Sequence, residues 1–192
     1  MKTIKRIAAL LLGTTLLLGL LSGCGNKKQG NEKLVLNVGV CGAIDSLDPA
    51  MNTDTDADSI FHALYENLMR ESDDGSGEVM LTNGMAKEYT EETNYDGTVT
   101  YRFTLRSTAR WSDGEKVTAD DFVYAWQRLA DPATNSPNHS LMSVVAGYDE
   151  VRETGNKAKL QVSAKDKSTF VVTLSAPCAY FIKHPRSLRY PF

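Results

Sequence analysis

The sequence predicts a mixed α/β fold, and three features carry that expectation. Apolar residues alternate at Leu34, Leu36, Val38 and Val40, the period of a strand with one buried face. Ile60, Phe61, Leu64, Tyr65 and Leu68 recur instead at the spacing of a helical stripe. Further along, strand-like stretches lie on either side of an amphipathic segment that begins at Thr118.

Taken in order, residues 33–40 are the first predicted strand. Ser46-Leu47-Asp48-Pro49 ends it, because Pro49 restricts Asp48 to extended or turn geometry. A helix is predicted over residues 56–69, with acids crowded at its start, where the helix dipole favours negative charge. Asp73-Asp74-Gly75-Ser76-Gly77 reads as a turn. Residues 88–93 and 98–105 read as a hairpin around Asn94-Tyr95-Asp96-Gly97, with Tyr101, Phe103 and Leu105 facing inward. Trp111-Ser112-Asp113-Gly114-Glu115-Lys116-Val117 is a turn into the capping sequence Thr118-Ala119-Asp120-Asp121. The helix so opened buries Phe122, Val123, Trp126 and Leu129 and stops at Asp131-Pro132. Residues 135–138 are loop, and short helices are expected at 141–145 and 148–153. Residues 160–164 and 168–174 complete the pattern as a strand pair. No internal repeat or low-complexity tract interrupts it.

The amino end reads as an address. Lys2, Lys5 and Arg6 precede an uncharged apolar run over residues 7–21. That run is shorter than the roughly 20 residues needed to cross a hydrocarbon core of about 30 Å, and a basic start before a short apolar run is the plan of a secretory signal. It ends in Leu21-Ser22-Gly23-Cys24 and turns polar at once, which resembles the bacterial lipobox. The resemblance implies cleavage after residue 23, lipidation (palmitate) at Cys24, and a flexible tether over residues 24–32. The expected location is the extracellular face of the cell membrane, or its periplasmic side in a Gram-negative cell.

The composition excludes several classes. The 192 residues are 42% hydrophobic and 23% charged, which is the balance of a globular chain. The net charge of −3 moves to −6 once Lys2, Lys5 and Arg6 are removed with the signal, so no nucleic-acid partner is expected. Three cysteines in so long a chain do not make a disulfide scaffold, and three histidines remote from them in sequence give no zinc spacing. Cys41 and Cys178 could pair in an oxidising compartment, but their 137-residue separation carries no geometry, and two buried free thiols are expected.

No phosphate loop, dinucleotide turn, metalloprotease helix or nucleophile elbow is present. His62 lies on a predicted helix, and His139 and His184 lie in loops with no acid or nucleophile pattern to recruit them. Asp54, Asp56 and Asp58 alternate like a calcium loop but lack its Gly and bidentate Glu, and a helix start accounts for them. Asp120 and Asp121 are helix-start residues for the same reason. The indoles of Trp111 and Trp126 are read as core, each with an N–H that needs a partner when buried. No catalytic residue, metal or cofactor is expected.

What rises above these readings is an ordered series of segments. Ser46-Leu47-Asp48-Pro49 is followed by Leu64-Tyr65-Glu66-Asn67-Leu68, Asn83-Gly84-Met85-Ala86 and Tyr101-Arg102-Phe103-Thr104-Leu105-Arg106. Then come Trp111-Ser112-Asp113-Gly114, the run from Val117 through Trp126 to Asp131-Pro132, and Ser175-Ala176-Pro177 with Tyr180-Phe181. The series resembles the extracellular solute-binding proteins of peptide and nickel ABC importers, most closely the oligopeptide-binding lipoprotein branch. It implies an α/β, two-lobed periplasmic-binding-protein-like fold (type II, peptide-binding), of which only the N-terminal portion is present. Residues 33–68 would begin the main lobe, residues 69–181 would form the smaller lobe, and residues 182–192 are an atypical, truncated end.

The resemblance also implies function. A monomer tethered to the membrane would capture oligopeptides between its lobes by main-chain hydrogen bonds and deliver them to ABC permease subunits. It places ligand contacts at Asn52, Thr53, Asp54 and Thr55, and in the loop 136–140 at Asn138 and His139. Asn138 stands where an aromatic contact is common in the family, so the peptide preference stays open, as do a nickel, haem or signalling-peptide ligand. The alternative is a truncated surface lipoprotein that serves as a structural or interaction module without transport.

Overall fold

The computed structural model describes residues 35–40, 42–73, 75 and 79–182. Cys24, Cys41 and His184 lie outside the described residues, as do the signal and the tether. Compactness divides the chain into residues 1–39 and residues 40–192. Of the first unit, residues 35–39 are described, and they carry no strand. Val35, Leu36 and Val38 are exposed by 75%, 81% and 72%. The strand expected over 33–40 is therefore not formed across 35–40. Alternation gives a strand its faces, but only a neighbour's N–H and C=O groups hold it, and none pairs here among the described residues.

The second unit opens with a short 3₁₀ turn at Pro49–Met51, capped by Asp48, whose carboxylate accepts the Ala50 N–H at 3.0 Å. Helix α1, Thr55–Leu64, follows, and Asp54 caps it by accepting the Asp56 N–H at 2.9 Å. The helix is shorter than the apolar period predicts. Tyr65 leaves helical geometry at φ −122° and ψ 156°. The carbonyls of Asn67 and Leu68 are instead taken by the N–H groups of Gly84, Met85 and Ala86 at 2.7–3.0 Å. That pairing brings two of the quoted sequence segments side by side. It also demands a glycine, because a Cβ on Gly84 would lie 2.2 Å from the Asn67 carbonyl oxygen.

Strands β1, Met69–Asp73, and β2, Val79–Asn83, pair antiparallel as a separate two-stranded ribbon. Neither strand is predicted from the sequence, whose apolar period carries the helix to Met69 and which marks only the turn between them. Strands β3, Ala86–Thr93, and β4, Val99–Leu105, form the expected hairpin, with Gly97 at φ +86° in its turn. Helix α2, Ala119–Ala130, begins where predicted. The Asp121 carboxylate accepts both the Thr118 N–H at 2.6 Å and the Thr118 hydroxyl at 3.0 Å. A 3₁₀ turn at His139–Met142 replaces the helix expected at 141–145, and helix α3, Tyr148–Thr154, is as predicted within a residue. Strands β5, Val162–Asp166, and β6, Thr169–Leu174, complete an antiparallel sheet in the order β3-β4-β6-β5.

The sheet is built around β4 and β6. Val99, Tyr101 and Phe103 stand opposite Leu174, Val172 and Phe170, and all six are buried. The stripe of α2 covers this face: Phe122 and Trp126 reach Phe170 with ring centroids at 5.7 and 5.1 Å, the second edge-on. Phe181 closes the layer from the chain's far end, 4.9 Å from Tyr101 and 6.2 Å from Trp126. Val123 is only half-buried, one position off the stripe. The fully buried Trp126 N–H has no hydrogen-bond partner among the described residues, contrary to the expectation that it would find one. The rings of Phe170 and Phe181, which offer no strong acceptor, lie against it. Cys178 is a free thiol, half-buried rather than buried.

Candidate functional site

The site is assembled from two stretches of chain more than 80 residues apart. The first runs from Asp48 through the 3₁₀ turn to the cap of α1. Pro49 and the Asp48 cap turn the chain sharply, and the Asp54 cap starts the helix, so Asn52 and Thr53 are held between two capped elements. The second stretch follows α2. Asp131 caps a 3₁₀ turn at Pro132–Thr134, and Asn135 adopts left-handed geometry at φ 51° and ψ 35°, which sends residues 136–139 back across the first stretch.

Side chains of the second stretch grip the first at every other residue. Arg128, on the last turn of α2, meets Asp48 with both terminal nitrogens, at 2.9 and 2.5 Å. The buried Ser136 hydroxyl donates to the Ala50 carbonyl. The Asn138 side-chain amide donates to the Asn52 carbonyl at 2.6 Å. The Arg128 guanidinium, by its hydrogen bonds to Asp48, holds that carboxyl below the usual aspartate range despite partial burial. The same pairing raises the affinity of Arg128 for its proton.

The residues expected to contact ligand fare differently. Asn52 is buried and its side chain is spoken for: it accepts the Asp54 N–H at 2.9 Å and donates to Asp58 at 3.0 Å. Asp54 is the helix cap. Asn138 is brought against Asn52, but as a brace, with its own N–H on Ser136 Oγ at 3.1 Å. His139 turns away from the first stretch, stacks on Tyr148 and shares a 2.5 Å hydrogen bond with its hydroxyl. Thr53 and Thr55 remain exposed. The main-chain N–H and C=O of Thr53 have no hydrogen-bond partner among the described residues.

Arg128 and Asp48 are quoted in the sequence segments above, but their pairing was not foreseen. The available signal was a cation on the helix flank in the same series as an Asp-Pro turn. The acids at 54, 56 and 58 are accounted for by the cap, the first helical turn and the Asn52 contact. Asp120 pairs with Lys167 at 2.6 Å, and Asp121 closes the α2 cap. His62 is exposed on the last turn of α1. Among the described residues no group of three or more His, Cys, Asp or Glu is placed to hold a metal ion. No described helix is long and apolar enough to cross a membrane.

Two open pockets lie elsewhere. One of about 260 Å³ is lined by His62, Asn67, Arg70 and Glu71. Another of about 320 Å³ lies between the end of α1 and the Trp111 turn, with Met85, Arg110 and Val117 in its wall. Neither is lined by residues 52–55 or 136–139. At the convergence of the two stretches lies the exposed main chain of Thr53, whose N–H and C=O could pair with an extended chain.

The chain belongs to the bacterial extracellular solute-binding proteins: the sequence model described as family 5 Middle matches residues 81–191. The chain is 40% identical over 167 residues to the periplasmic oligopeptide-binding protein OppA of Escherichia coli strain K12, covering 83% of this chain and 29% of that one. It is 32% identical over 191 residues to the oligopeptide-binding protein OppA of Bacillus subtilis strain 168, with 94% of this chain and 33% of that one covered. Among solved structures, Haemophilus influenzae OppA in complex with RPPGFSPFR superposes with a TM-score of 0.65 at 35% identity, over 77% of this chain and 28% of that one. The α/β, two-lobed binding-protein class expected from the sequence is the class of these neighbours. The chain spans about 30% of the length of the curated relatives it matches.

Proposed function

We propose that this chain is the leading part of an extracellular peptide-binding protein of an ABC importer, anchored through lipid at Cys24 and handing oligopeptides to membrane permease subunits. The observation that carries the reading is the open main chain of Thr53, held between two capped elements at the crossing of the two stretches. An extended peptide has the complementary N–H and C=O groups, and strand-like pairing recognises it without reading its side chains. The names of the similar proteins above point to the same ligand class, and the apolar run before Cys24 supports export and anchoring. The function is capture without chemical change. Residues 33–68 are assigned to the main lobe and 69–181 to the smaller one on the same footing.

The edge at Thr53 is exposed and unenclosed, whereas ligand sites of high affinity bury most of the ligand surface. The 192-residue chain is accordingly expected to bind weakly, in the range of about 1 mM. Titration of isotope-labelled protein with trialanine, followed by amide chemical shifts, tests this. Shifts confined to residues 52–55 and their neighbours support the reading, and unchanged shifts there at saturating peptide overturn it. Metabolic labelling with a palmitate analogue, lost on Cys24→Ala, tests the anchor separately.

A further inference from the structure

We propose that Arg128, Ser136 and Asn138 are positioning residues, a three-point clamp that sets the main chain of residues 48–52 and leaves Thr53 as the first residue of the stretch with both main-chain groups open to a peptide. The inference deepens the peptide reading and rests on it.

The geometry is regular. Contacts fall on Asp48, Ala50 and Asn52, alternate residues of the first stretch, and all come from a span of 11 residues in the second. The clamp acts on main-chain acceptors at two of its three points: the carbonyls of Ala50 and Asn52 are consumed by Ser136 and Asn138. A carbonyl that already accepts one hydrogen bond keeps a single lone pair for a ligand strand and is the poorer place for it to pair. Thr53 is the first residue of the stretch whose N–H and C=O both have no hydrogen-bond partner among the described residues. Asn138 thus decides where the ligand edge begins without touching the ligand. Two features show that the grip is built rather than incidental. Ser136 is 2% exposed, and its oxygen also accepts the Asn138 N–H, so the second and third points are one hydrogen-bonded unit. Asn52 is in turn locked to α1 through Asp54 and Asp58, so displacing its carbonyl would disturb the helix cap. Peptide bound at Thr53 would be coupled through this clamp to α2 and the sheet beneath it.

The test compares wild type with Asn138→Ala and Ser136→Ala, using Ser136→Thr, which keeps the hydroxyl, as the conservative variant. Amide hydrogen exchange is read at residues 50–54, with residues 101–105 and 122–129 as internal controls for global folding. The clamp predicts exchange about tenfold faster at 50–54 in both alanine variants, unchanged controls, and near wild-type protection in Ser136→Thr. Trialanine titration at the Thr53 amide is predicted to weaken by about the same factor in the alanine variants and to recover in Ser136→Thr. Unchanged exchange at 50–54 in both alanine variants overturns the clamp. Faster exchange with undiminished trialanine shifts at Thr53 overturns its positioning role while leaving the peptide reading intact. Faster exchange with no trialanine response in any form, wild type included, supports the clamp and overturns the peptide reading.

Discussion

Asp48 shows how much one side chain can do at a chain crossing. It caps the turn at Pro49, and it accepts both arms of Arg128 from 80 residues away. Because folding lowers its pKa, its contribution to stability is complete above the ordinary aspartate value of 3.8 and is lost as pH falls through the depressed folded value. Arg128→Met removes the largest cause of that shift. Urea titrations at neutral pH are expected to show a loss of about 1 kcal/mol, and the acid-side decline of the variant is expected to be shallower than that of wild type. Tyr101 gives the opposite limb. Burial, with Glu91 beside it, pushes its pKa up to about 12. The unfolded phenol ionises first, near 10, so stability is lost as pH rises from about 10 towards 12. Tyr101→Phe is expected to flatten that decline, and spectrophotometric titration of the folded protein is expected to lose one tyrosine ionising near pH 12.

At the scale of elements, the molecule depends on places where backbone approaches backbone. Gly147, at φ +82°, begins α3 with its α-carbon so close to the next segment that an added Cβ would lie 2.0 Å from the Lys159 carbonyl oxygen. Both the left-handed geometry and the contact forbid a side chain. Gly147→Ala is expected to cost at least about 2 kcal/mol in equilibrium unfolding, because the neighbouring atom is backbone and cannot turn aside. A loss under half that would show that the α3–β5 connection is slack. The end of α1 obeys the same logic. Leu68 belongs to the helical period in sequence, yet its carbonyl accepts from Gly84 and Ala86, and that tertiary pairing outweighs one more turn of helix. Helix α2 meets no such competitor and keeps the boundaries its cap and its Asp-Pro stop prescribe.

At the scale of the molecule, order is expected to be uneven. Residues 101–105 and 122–129 lie in one of the two inner strands and in the helix that covers them, with Phe103, Phe122 and Trp126 fully buried. Residues 35–40 carry no strand and leave Leu36 and Val38 in solvent. Amide exchange is expected to be slowest in the first two segments and close to the free-chain rate at 35–40. Uniform protection from residue 35 onward would contradict it. The same contrast accounts for the weak peptide affinity expected of this chain. The edge at Thr53 is positioned, but nothing described stands opposite it to enclose a ligand, and positioning without burial contributes specificity more than affinity.

The family was marked by the resemblance of a series of segments running from residue 46 to residue 181, whereas local chemistry was enough to read the hairpin at 88–105, the capped helix after Thr118 and the strand pair ending at Leu174. Each depends on neighbours within a few residues: turn residues between alternating strands, or a cap before an amphipathic stripe. The crossing at residues 48–54 and 128–139 was legible only in part. Ligand contacts are expected from the sequence at residues 52–55 and, in the loop 136–140, at Asn138 and His139, but the roles of the side chains there are not readable from it. Asn52, Asn138 and His139 have side chains suited to meeting a ligand, and only the fold shows that they are occupied by Asp54 and Asp58, by the Asn52 carbonyl, and by Tyr148. The ribbon β1–β2 and the early end of α1 were likewise beyond local reading. Whether a carbonyl bonds within its own helix or across to a strand is settled by what the rest of the chain brings beside it.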